Sequence, residues 1–453
     1  MSYETAVAQM YALGHELAQT PSHKFNLEHM RVLLAALGHP ENRFPAVLIA
    51  GTNGKGSTAA ALASILQASG LKTGLYTSPH LVRINERIRL NGQFIADDDF
   101  AVLHDVVDRT AERLVEEVDL PWHPSFFEML TAMAFEYFAR ARPDMVVLEV
   151  GMGGRLDATN VVEPRLSIIT DIALDHQKYL GETVSAIARE KAGIIRRGGV
   201  VVTLPQSPEA NDVIGNAILD AGARAVNAVP YMPPVSPGSD QWTAAGGQLQ
   251  RYPLDVMGAQ IMVESPLVGR HQLRNLALAV AAAEELHNQG IVQITSETIA
   301  EGIRQTHWPG RFQLVPATGD DPEFVLDVAH NPAGAWALRS TLSAVYKDGP
   351  RERGITMVFG VMRDKAMQEI TEILFPITKR VIVTHANNPR SASANEIREA
   401  AKRVAAPAEI EDAADVASAL GRARELAGPC GIVVVTGSIY IVGEAMRMLG
   451  SRI

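Results

Sequence analysis

The stretch "FPAVLIAGTNGKGSTAAALASILQASG" (residues 44–70) is the part of this sequence that most clearly determines the fold. Residues 44–50 form a short apolar run, which is typical of a buried parallel strand. A glycine-rich turn follows, and the alanine- and leucine-rich residues after it favour a helix that ends at Gly70. The next apolar run, "KTGLYTS" (72–78), comes at once. This order of strand, loop, helix and strand predicts a βαβ unit.

The same alternation continues along the chain and predicts an α/β fold, a P-loop NTPase-like domain with a mostly parallel, doubly wound sheet. Further strands are predicted at residues 144–154, 165–177 and 199–205, and helices at 125–141, 183–195 and 269–290. Residues 222–266 differ, because proline, glycine and short alternating stretches predict a small antiparallel β addition there.

A second, smaller α/β series follows "THWPGRFQLV" (306–315), where Pro309 and Gly310 interrupt the helical pattern. We therefore predict a first domain over residues 1–308 and a Rossmann-like C-terminal domain over residues 309–453. The strands predicted in the second domain are residues 324–330, 354–362, 380–386 and 431–438.

Composition limits the classes of function. The chain has 453 residues, 47% hydrophobic and 20% charged, which is the profile of a soluble globular protein of two or three domains. A net charge of -10 argues against a broad nucleic-acid-binding face. No apolar run is long enough for a membrane span and no signal peptide is recognisable, so we expect a cytoplasmic protein. A single cysteine, Cys430, excludes an intrachain disulfide, and we expect it to be a buried structural thiol.

The glycine-rich turn is a candidate phosphate-binding loop whose spacing departs from the usual P-loop. Glycines allow backbone N–H groups to converge on phosphate oxygens, the helix N-terminus attracts anions, and Lys55 adds a full charge. Ser57 and Thr58 are suited to cap the helix or to face Mg²⁺. The alternative is an ordinary turn with a surface lysine. The combination favours nucleotide binding, with these loop residues as candidates: Gly51, Thr52, Asn53, Gly54, Lys55, Gly56 and Ser57.

Several polar residues at predicted strand ends have two readings each. Ser78 is either a metal ligand or a helix cap, and local sequence favours the cap. Glu149 lies inside an apolar strand, so its carboxylate must be paired, protonated or bound to a metal, with Mg²⁺ the natural partner beside a phosphate loop. Asp157 is equally suited to approach a substrate or to cap a helix. His176 ends a neighbouring strand, and local sequence favours an exposed position for Lys191.

The second domain has a comparable cluster, "LDVAHNPAGAW" (326–336). Asp327, His330 and Asn331 follow a predicted strand, where α/β folds bind ligands. A capped strand–helix junction is the alternative, and the local sequence does not decide between the two.

Seven motifs in this order resemble folylpolyglutamate and dihydrofolate synthases of the Mur ligase family, which are ATP-dependent amide-forming enzymes. The resemblance runs from about residue 20 to the C-terminus. The motifs are "GTNGKGS", "TSPHLVRINERI", "LEVGMGGRLDATN", "LDHQKYLG", "REKAGI", "PGRF" and "DVAHNP".

The resemblance implies roles that local sequence leaves open. It implies ATP and Mg²⁺ as cofactors, and dihydropteroate or folate and L-glutamate as substrates. We also expect a monomer that binds neither nucleic acid nor membrane. It implies ATP contacts for Thr52, Asn53, Gly54, Lys55, Asn275, Arg311 and Asp327. It implies magnesium ligation by Ser78, Glu149 and His176, carbamylation of Lys191, and a place near the incoming glutamate for His330. It implies pterin-substrate contacts for Ser125, Phe126, Phe127, Glu128, Leu156, Asp157 and Ala158.

The implied reaction is transfer of the ATP γ-phosphate to a carboxylate, followed by attack of the glutamate amino group on the acyl phosphate. Lys55, Lys191 and His330 are the implied catalytic residues. Two other functions are weighed against this one: a Mur-type ligase of cell-wall synthesis, and a P-loop regulatory ATPase. The folate-type motifs at residues 76–88 and 151–160 disfavour the first, and the combination of Glu149, His176 and Lys191 disfavours the second.

Overall fold

The structure is a computed structural model that describes residues 1–14, 27–233, 249–346, 352–404 and 409–451. The described chain divides into two compact units. The first takes in the N-terminal half of the chain with Tyr252–Val263 and Arg274–Thr306, and the second takes in Glu264–Leu273 and His307–Ile453.

Within its described residues, the first unit is built on an eight-stranded sheet in the order β4-β3-β2-β5-β1-β6-β7-β8. The strands are β1 (Ala46–Ala50), β2 (Thr73–Tyr76), β3 (Ile88–Leu90), β4 (Gln93–Phe94), β5 (Met145–Glu149), β6 (Leu166–Ile169), β7 (Val200–Thr203) and β8 (Arg224–Asn227). The helices are α1 (Tyr3–Ala12), α2 (Leu27–Ala36), α3 (Lys55–Ala68), α4 (Asp97–Glu116), α5 (Phe126–Ala141), α6 (Gln177–Leu180), α7 (Val184–Ala192), α8 (Pro208–Ala221), α9 (Arg270–Asn288) and α10 (Ser296–Gln305).

The sheet is parallel from β2 through β8, and β3 and β4 add an antiparallel edge. Strand β1 pairs with β5 on one side and β6 on the other. The chain leaves β1 towards β2 and leaves β6 towards β7, so the connections diverge at the ends of β1 and β6. Such a divergence is the topological switch point where α/β sheets bind ligands. The predicted doubly wound α/β fold is confirmed.

Burial explains why the opening stretch dominates the fold. All five residues of β1 are buried, as expected of a central strand covered on both faces. Helix α3 is also buried over most of its length, which its small alanine side chains permit. A Cβ atom at Gly302 of α10 would lie 2.3 Å from the Ile65 Cα, and the Ser64 hydroxyl donates to the Gly302 carbonyl at 2.6 Å. Helices α3 and α10 therefore cross at backbone contact.

A separate two-stranded ribbon lies in the stretch where the sequence predicts a β addition. It consists of β9 (Gln250–Val256) and β10 (Ala259–Ser265). The two-residue turn at Met257 and Gly258 has positive φ values of 54° and 77°, which is the geometry of a tight antiparallel hairpin. Residues 224–227, by contrast, form the parallel edge strand β8 of the large sheet. Residues 234–248 of the predicted addition lie outside the described ranges.

The second unit, where described, has a six-stranded sheet in the order β11-β12-β16-β13-β14-β15. Its strands are β11 (Gln313–Val315), β12 (Glu323–Leu326), β13 (Thr356–Phe359), β14 (Arg380–Val383), β15 (Glu409–Asp412) and β16 (Ile432–Thr436). Its helices are α11 (Pro332–Val345), α12 (Met367–Leu374), α13 (Ala394–Ala401), α14 (Val416–Ala427) and α15 (Ile439–Met448). Among the described strands of this unit only β11 pairs antiparallel, so the unit is also a largely parallel α/β fold.

Two local expectations are wrong, and one of two alternatives is not seen. Cys430 is exposed, because it lies in the turn between α14 and β16 rather than inside the strand. Helix α7 ends at Ala192 rather than at residue 195. Ser57 and Thr58 do not cap α3, because the helix already begins at Lys55 with Gly54 as its N-cap. None of the described helices has the length and apolar character that a membrane crossing requires.

Candidate active site

The loop after β1 is shaped by backbone constraints that admit only glycine at two positions. Gly54 has a φ of 90°, and a Cβ atom there would lie 2.1 Å from the Asn275 Oδ1. At Gly51, with φ 156°, a Cβ atom would lie 1.8 Å from the Thr170 Oγ1. The first helical hydrogen bond of α3 runs from the Thr58 N–H to the Gly54 carbonyl at 2.9 Å. The amides of residues 55–57 therefore have no acceptor within the helix and point out of its N-terminus, as an anion site requires.

The N–H groups of Thr52 and Asn53 have a different role. Both donate to the carbonyl of Asp171, at 2.8 and 3.1 Å, where the chain leaves β6. The loop is thereby joined to the neighbouring strand end at the switch point. In this structure, the backbone amides of Thr52 and Asn53 hold the loop itself, and the amides at the start of α3 are the ones directed outward.

Two lysines converge on one carbonyl oxygen of this loop. The Lys55 Nζ donates to the Gly51 carbonyl at 3.1 Å, and the Lys191 Nζ donates to the same oxygen at 2.7 Å. Lys191 is only 4% exposed, so the exposed-lysine reading is wrong. The amphipathic helix α7 turns this residue towards β1 rather than towards solvent.

Burial, and to a smaller extent the nearby charge of Lys55, lower the pKa of Lys191 to about 7, although Asp175 and Asp157 act in the opposite direction. Desolvation disfavours the ammonium form of a buried lysine. A substantial fraction of Lys191 is therefore a neutral amine near neutral pH, which is the form that acts as a nucleophile.

Ser78 and Glu149 come together at the ends of adjacent parallel strands. The Ser78 N–H donates to the Glu149 Oε2 at 3.2 Å, and Glu149 is 4% exposed. Glu149 pairs with Ile49 of β1, two residues before Gly51, so its carboxylate lies next to the phosphate loop. Ser78 is not the N-cap of a described helix, so the capping reading is wrong. A hydroxyl and a buried carboxylate are hard oxygen donors that suit Mg²⁺.

His176 lies in the loop after β6, in a left-handed conformation with φ 50°. Its backbone N–H donates to the Asp175 Oδ1 at 2.8 Å, and its Nε2 lies 3.9 Å from the Asp175 Oδ2. Among the described residues, no three His, Cys, Asp or Glu side chains converge as a metal-binding group. The structure thus brings Ser78 and Glu149 together, and ligation by His176 stays a prediction.

The segments predicted to contact the pterin substrate have local structural roles. Ser125 and Glu128 form a capping box at the start of α5, and burial raises the pKa of the Glu128 carboxyl. Phe126 is packed in the core, 5.8 Å from the Tyr11 ring. Phe127 packs against Gly151, where a Cβ atom would lie 2.5 Å from its ring.

Asp157 is the N-cap of the 3-10 helix Ala158–Val161, and it accepts hydrogen bonds from the Thr159 N–H at 3.0 Å and the Met152 N–H at 2.9 Å. Burial raises the pKa of its carboxyl. The capping alternative for Asp157 is therefore present in the structure. Leu156 is half-buried and Ala158 is buried. Substrate contacts by these residues remain a prediction.

In the second unit, Asp327 is buried directly after β12. It accepts hydrogen bonds from the Phe312 and Ala329 N–H groups, both at 2.9 Å. Burial raises the pKa of Asp327, and the charges of Arg311 and His330 oppose that shift. The His330 Nδ1 donates to the Val328 carbonyl at 2.8 Å. Asn331 caps α11 by accepting from the Gly334 N–H at 2.8 Å, so this segment is a capped junction.

Sequence reasoning missed one ion pair beside the loop. The Arg274 Nε lies 2.9 Å from both carboxylate oxygens of Asp171, and its Nη2 lies 2.6 Å from the Oδ1. The two residues are 103 positions apart, so no local pattern could have linked them. The position of Asp171 just after β6 and of Arg274 just before Asn275 is the signal that could have indicated them.

Comparison with known proteins identifies the family of the chain. One family model, the Mur ligase middle domain, matches residues 127–283, and a second, the Mur ligase glutamate ligase domain, matches residues 310–439. Both describe parts of a Mur ligase, whose α/β domains are those seen here.

Individual relatives narrow the class. The chain is 35% identical to a Bacillus subtilis protein named dihydrofolate synthase/folylpolyglutamate synthase, over 94% of this chain and 95% of that protein. It is 32% identical to a folylpolyglutamate synthase of Lacticaseibacillus casei over 99% of both chains. Its structure matches Mycobacterium tuberculosis folylpolyglutamate synthase complexed with ADP with a TM-score of 0.87 and 31% identity, over 99% of both chains. The chain therefore belongs to the folylpolyglutamate and dihydrofolate synthase family of Mur ligases.

Proposed function

We propose that this protein adds L-glutamate to dihydropteroate, and to the terminal glutamate of folates, through an acyl phosphate formed with ATP. The protein is an ATP-dependent amide ligase of folate metabolism. The observation that carries the proposal is the convergence of Lys55 and Lys191 on the Gly51 carbonyl, beside the buried Glu149 and the uncapped start of α3. A site with these groups is suited to hold a nucleotide while its terminal phosphate is transferred.

In the first step, the substrate carboxylate attacks the γ-phosphorus of ATP, and ADP leaves. Lys55 and the outward amides at the start of α3 offset the charge on the transferring phosphoryl group. Ser78 and Glu149 are the residues that would hold Mg²⁺, with His176 as the proposed third ligand. When bound, Mg²⁺ neutralises charge on the phosphate oxygens. Thr52, Asn53, Gly54, Gly56, Ser57 and Asn275 are proposed to complete the nucleotide contacts.

Lys191 has a second role in this proposal. Its neutral amine attacks CO₂, an N–C bond forms and one proton is released, which leaves an anionic carbamate in place of the neutral amine. The low pKa supports this step because an unprotonated amine is required for it. The carbamate is an oxygen-donor anion, which can ligate Mg²⁺ where a lysine cation cannot.

In the second step, the amino group of L-glutamate attacks the acyl phosphate, an amide bond forms and phosphate leaves. His330 is proposed to act near the incoming glutamate, and Arg311 and Asp327 to contact the nucleotide. The segments 125–128 and 156–158 are proposed to bind the pterin part of the substrate. No protein nucleophile is required.

The experiment is an assay of ADP release with dihydropteroate, tetrahydrofolate or neither, each with and without L-glutamate. We expect release only when a folate-type substrate and glutamate are both present, with the amide product detected by mass spectrometry. Release that ignores both substrates would indicate a regulatory ATPase. Absence of release with both folate-type substrates would favour a cell-wall ligase. Either result would refute the proposal.

We further propose that the protein is a cytoplasmic monomer that binds neither nucleic acid nor membrane. Its net charge of -10 supports the absence of a broad polyanion-binding face. Light scattering at assay concentration tests the monomer, and fractionation of cells into membrane and supernatant tests the location.

A further inference from the structure

The ion pair of Arg274 and Asp171 lies in a position to control the phosphate loop. Asp171 is bound twice. Its backbone carbonyl accepts the N–H groups of Thr52 and Asn53, and its carboxylate binds Arg274. Residue 171 therefore connects the loop after β1 directly to helix α9. The Thr52 hydroxyl strengthens the same junction, because it donates to the Ala173 carbonyl at 3.0 Å and accepts from the Ala173 N–H at 3.1 Å.

Arg274 is itself fixed at one further point. Its Nη2 also donates to the Pro205 carbonyl at 2.9 Å, in the segment that follows β7. The guanidinium thus joins helix α9 to the chain segments that follow β6 and β7. A two-pronged guanidinium–carboxylate pair restricts orientation as well as distance, which a lysine in the same place cannot do.

The residue after Arg274 acts on the other end of the loop. The Asn275 side chain packs against Gly54, where it leaves no room for a Cβ atom, and the Asn275 carbonyl accepts from the Thr58 hydroxyl at 3.4 Å. Two consecutive residues of α9 therefore constrain the two ends of the phosphate loop. Arg274 fixes its entry at Thr52 and Asn53 through Asp171, and Asn275 fixes its exit at Gly54.

The opposite charges of Arg274 and Asp171 mean that the pair affects the phosphate loop through its position and not through its net charge. Arg274 and Asp171 are 29% and 32% exposed and neutralise each other, so together they add little net charge to a phosphate site. What they supply is the position of the Asp171 carbonyl. An error of about 1 Å in the position of groups around reacting phosphates reduces rates strongly.

We propose that Arg274 is a positioning residue for the nucleotide: through Asp171 it fixes the backbone of Thr52 and Asn53 and so the geometry of the phosphate loop. This inference rests on the proposed use of ATP at that loop.

The test uses Arg274→Lys, which keeps the charge but loses the two-pronged geometry, together with Arg274→Ala, Asp171→Asn and the double variant Asp171→Asn/Arg274→Lys. The matched control is Arg398→Lys. Arg398 binds Asp412 through its Nε at 2.9 Å and the Ile410 carbonyl at 3.1 Å, with a similar exposure of 38%, in the second unit. The measurements are the KM for ATP, the KM for glutamate, kcat, the melting temperature, and the dissociation constant for ADP by calorimetry.

We expect each single variant to raise the KM for ATP and the dissociation constant for ADP roughly tenfold, with a KM for glutamate within about twofold of the original. The KM for ATP and the dissociation constant for ADP of the double variant should not exceed those of the more impaired single variant, because both changes break the same interaction. Arg398→Lys should leave the nucleotide constants unchanged.

Unchanged nucleotide constants in Arg274→Lys and Asp171→Asn would overturn the inference. Original nucleotide constants in Arg274→Lys together with impaired ones in Arg274→Ala would also overturn it, because Arg274 would then act through its charge. A fall in melting temperature and kcat without a nucleotide effect would show a purely structural role and also overturn it. If Arg274→Lys does not fold, Asp171→Asn decides by the same measures. Calorimetry separates this result from the proposed function, because ADP binding does not require ligase activity.

Discussion

The loops that follow β1 and β12 are alike in topology and opposite in how their helices begin. Each leads from a buried parallel strand into a helix. Helix α3 begins at a glycine without a side-chain cap, whereas α11 begins at Asn331, whose side chain accepts the Gly334 N–H. Likewise, the carboxylate of Asp327 is occupied by two backbone amides. The start of α3 is left available for an external anion, and the start of α11 is satisfied by the chain itself.

This comparison explains why polar residues after a strand can be arranged in two different ways in one protein. A cluster of polar residues after a strand predicts a ligand site on an α/β fold, but those residues are also the ones that cap helices. The feature that indicates a ligand site is a helix start at a glycine with a constrained backbone and no side-chain cap. His330, which donates to a backbone carbonyl of its own loop, is oriented within such a capped junction.

The largest effect should come from removing the charges at the uncapped loop. We expect Lys55→Ala to reduce glutamate-dependent ADP release by roughly 10²- to 10³-fold, because the Lys55 ammonium offsets phosphoryl charge. We expect Glu149→Ala to abolish it, because the Glu149 carboxylate would hold the Mg²⁺ that neutralises phosphate charge. Lys402→Ala, at an exposed ion pair with Glu399, is the control and should be silent. Near-normal turnover in Lys55→Ala or Glu149→Ala would contradict the conclusion that the start of α3, unlike that of α11, is available for an external anion.

The next effect concerns Lys191 and pH. Its pKa falls from 10.5 to about 7 on folding, so the unfolded chain binds more protons between those values and stability rises as pH increases from 7 to 10.5. Below pH 7 the loss of stability is complete and constant. In CO₂-free buffer, Lys191→Met should flatten this rise in denaturant titrations at several pH values. An unchanged slope of stability against pH in Lys191→Met would contradict the low pKa of Lys191.

The same low pKa predicts that carbamate forms readily near neutral pH. We expect activity to fall after dialysis against CO₂-free buffer and to return with bicarbonate, with intact mass reporting the added group. A bare lysine in active enzyme equilibrated with bicarbonate would refute the modification.

A smaller effect should distinguish glycines by their backbone. Gly54→Ala places a side chain at φ 90° and against Asn275, so we expect it to lower the free energy of unfolding by about 1–3 kcal/mol and to weaken ADP binding. Gly421→Ala, within α14 and with nothing within 4 Å of its Cβ position, should raise stability by about 0.5–1 kcal/mol. Equal effects of the two changes would mean that the loop backbone is not constrained.

The smallest effect should confirm which helix is capped. Asn331→Ala removes the cap of α11 and should cost about 1 kcal/mol of unfolding free energy, whereas Asn331→Asp keeps a capping oxygen and should cost less. Ser57→Ala removes no cap from α3 and should change stability by less than about 0.5 kcal/mol. A larger loss from Ser57→Ala than from Asn331→Ala would reverse the comparison.

Much of the fold could be predicted because its central strands are continuous apolar runs. Strands β1, β5 and β13 are buried along their whole length, and such runs are visible in sequence. Edge strands were harder, since β8 (Arg224–Asn227) and β15 (Glu409–Asp412) are largely exposed and carry polar residues. Their pairing is determined by the neighbouring strand rather than by their own pattern.

The residues of the candidate site could likewise be predicted from the sequence only in part. The loop glycines and the buried Glu149 were recognisable because their residue types are unusual in those places. The burial of Lys191 was not, because a helix that ends with charged residues normally faces solvent. The link from Arg274 through Asp171 to Thr52 depends on three segments meeting at one strand end, which only the three-dimensional arrangement reveals.

The backbone contact between Gly302 and Ile65 has a consequence for the thermodynamics of nucleotide binding. A crossing with no space for a methyl group leaves α3 little freedom to shift or rotate, so the loop at its N-terminus is ordered before any ligand arrives. The entropy lost in ordering that loop belongs to folding rather than to association. We therefore expect the heat and the entropy of ADP binding to reflect mainly solvent and ligand, with only a small share from the polypeptide.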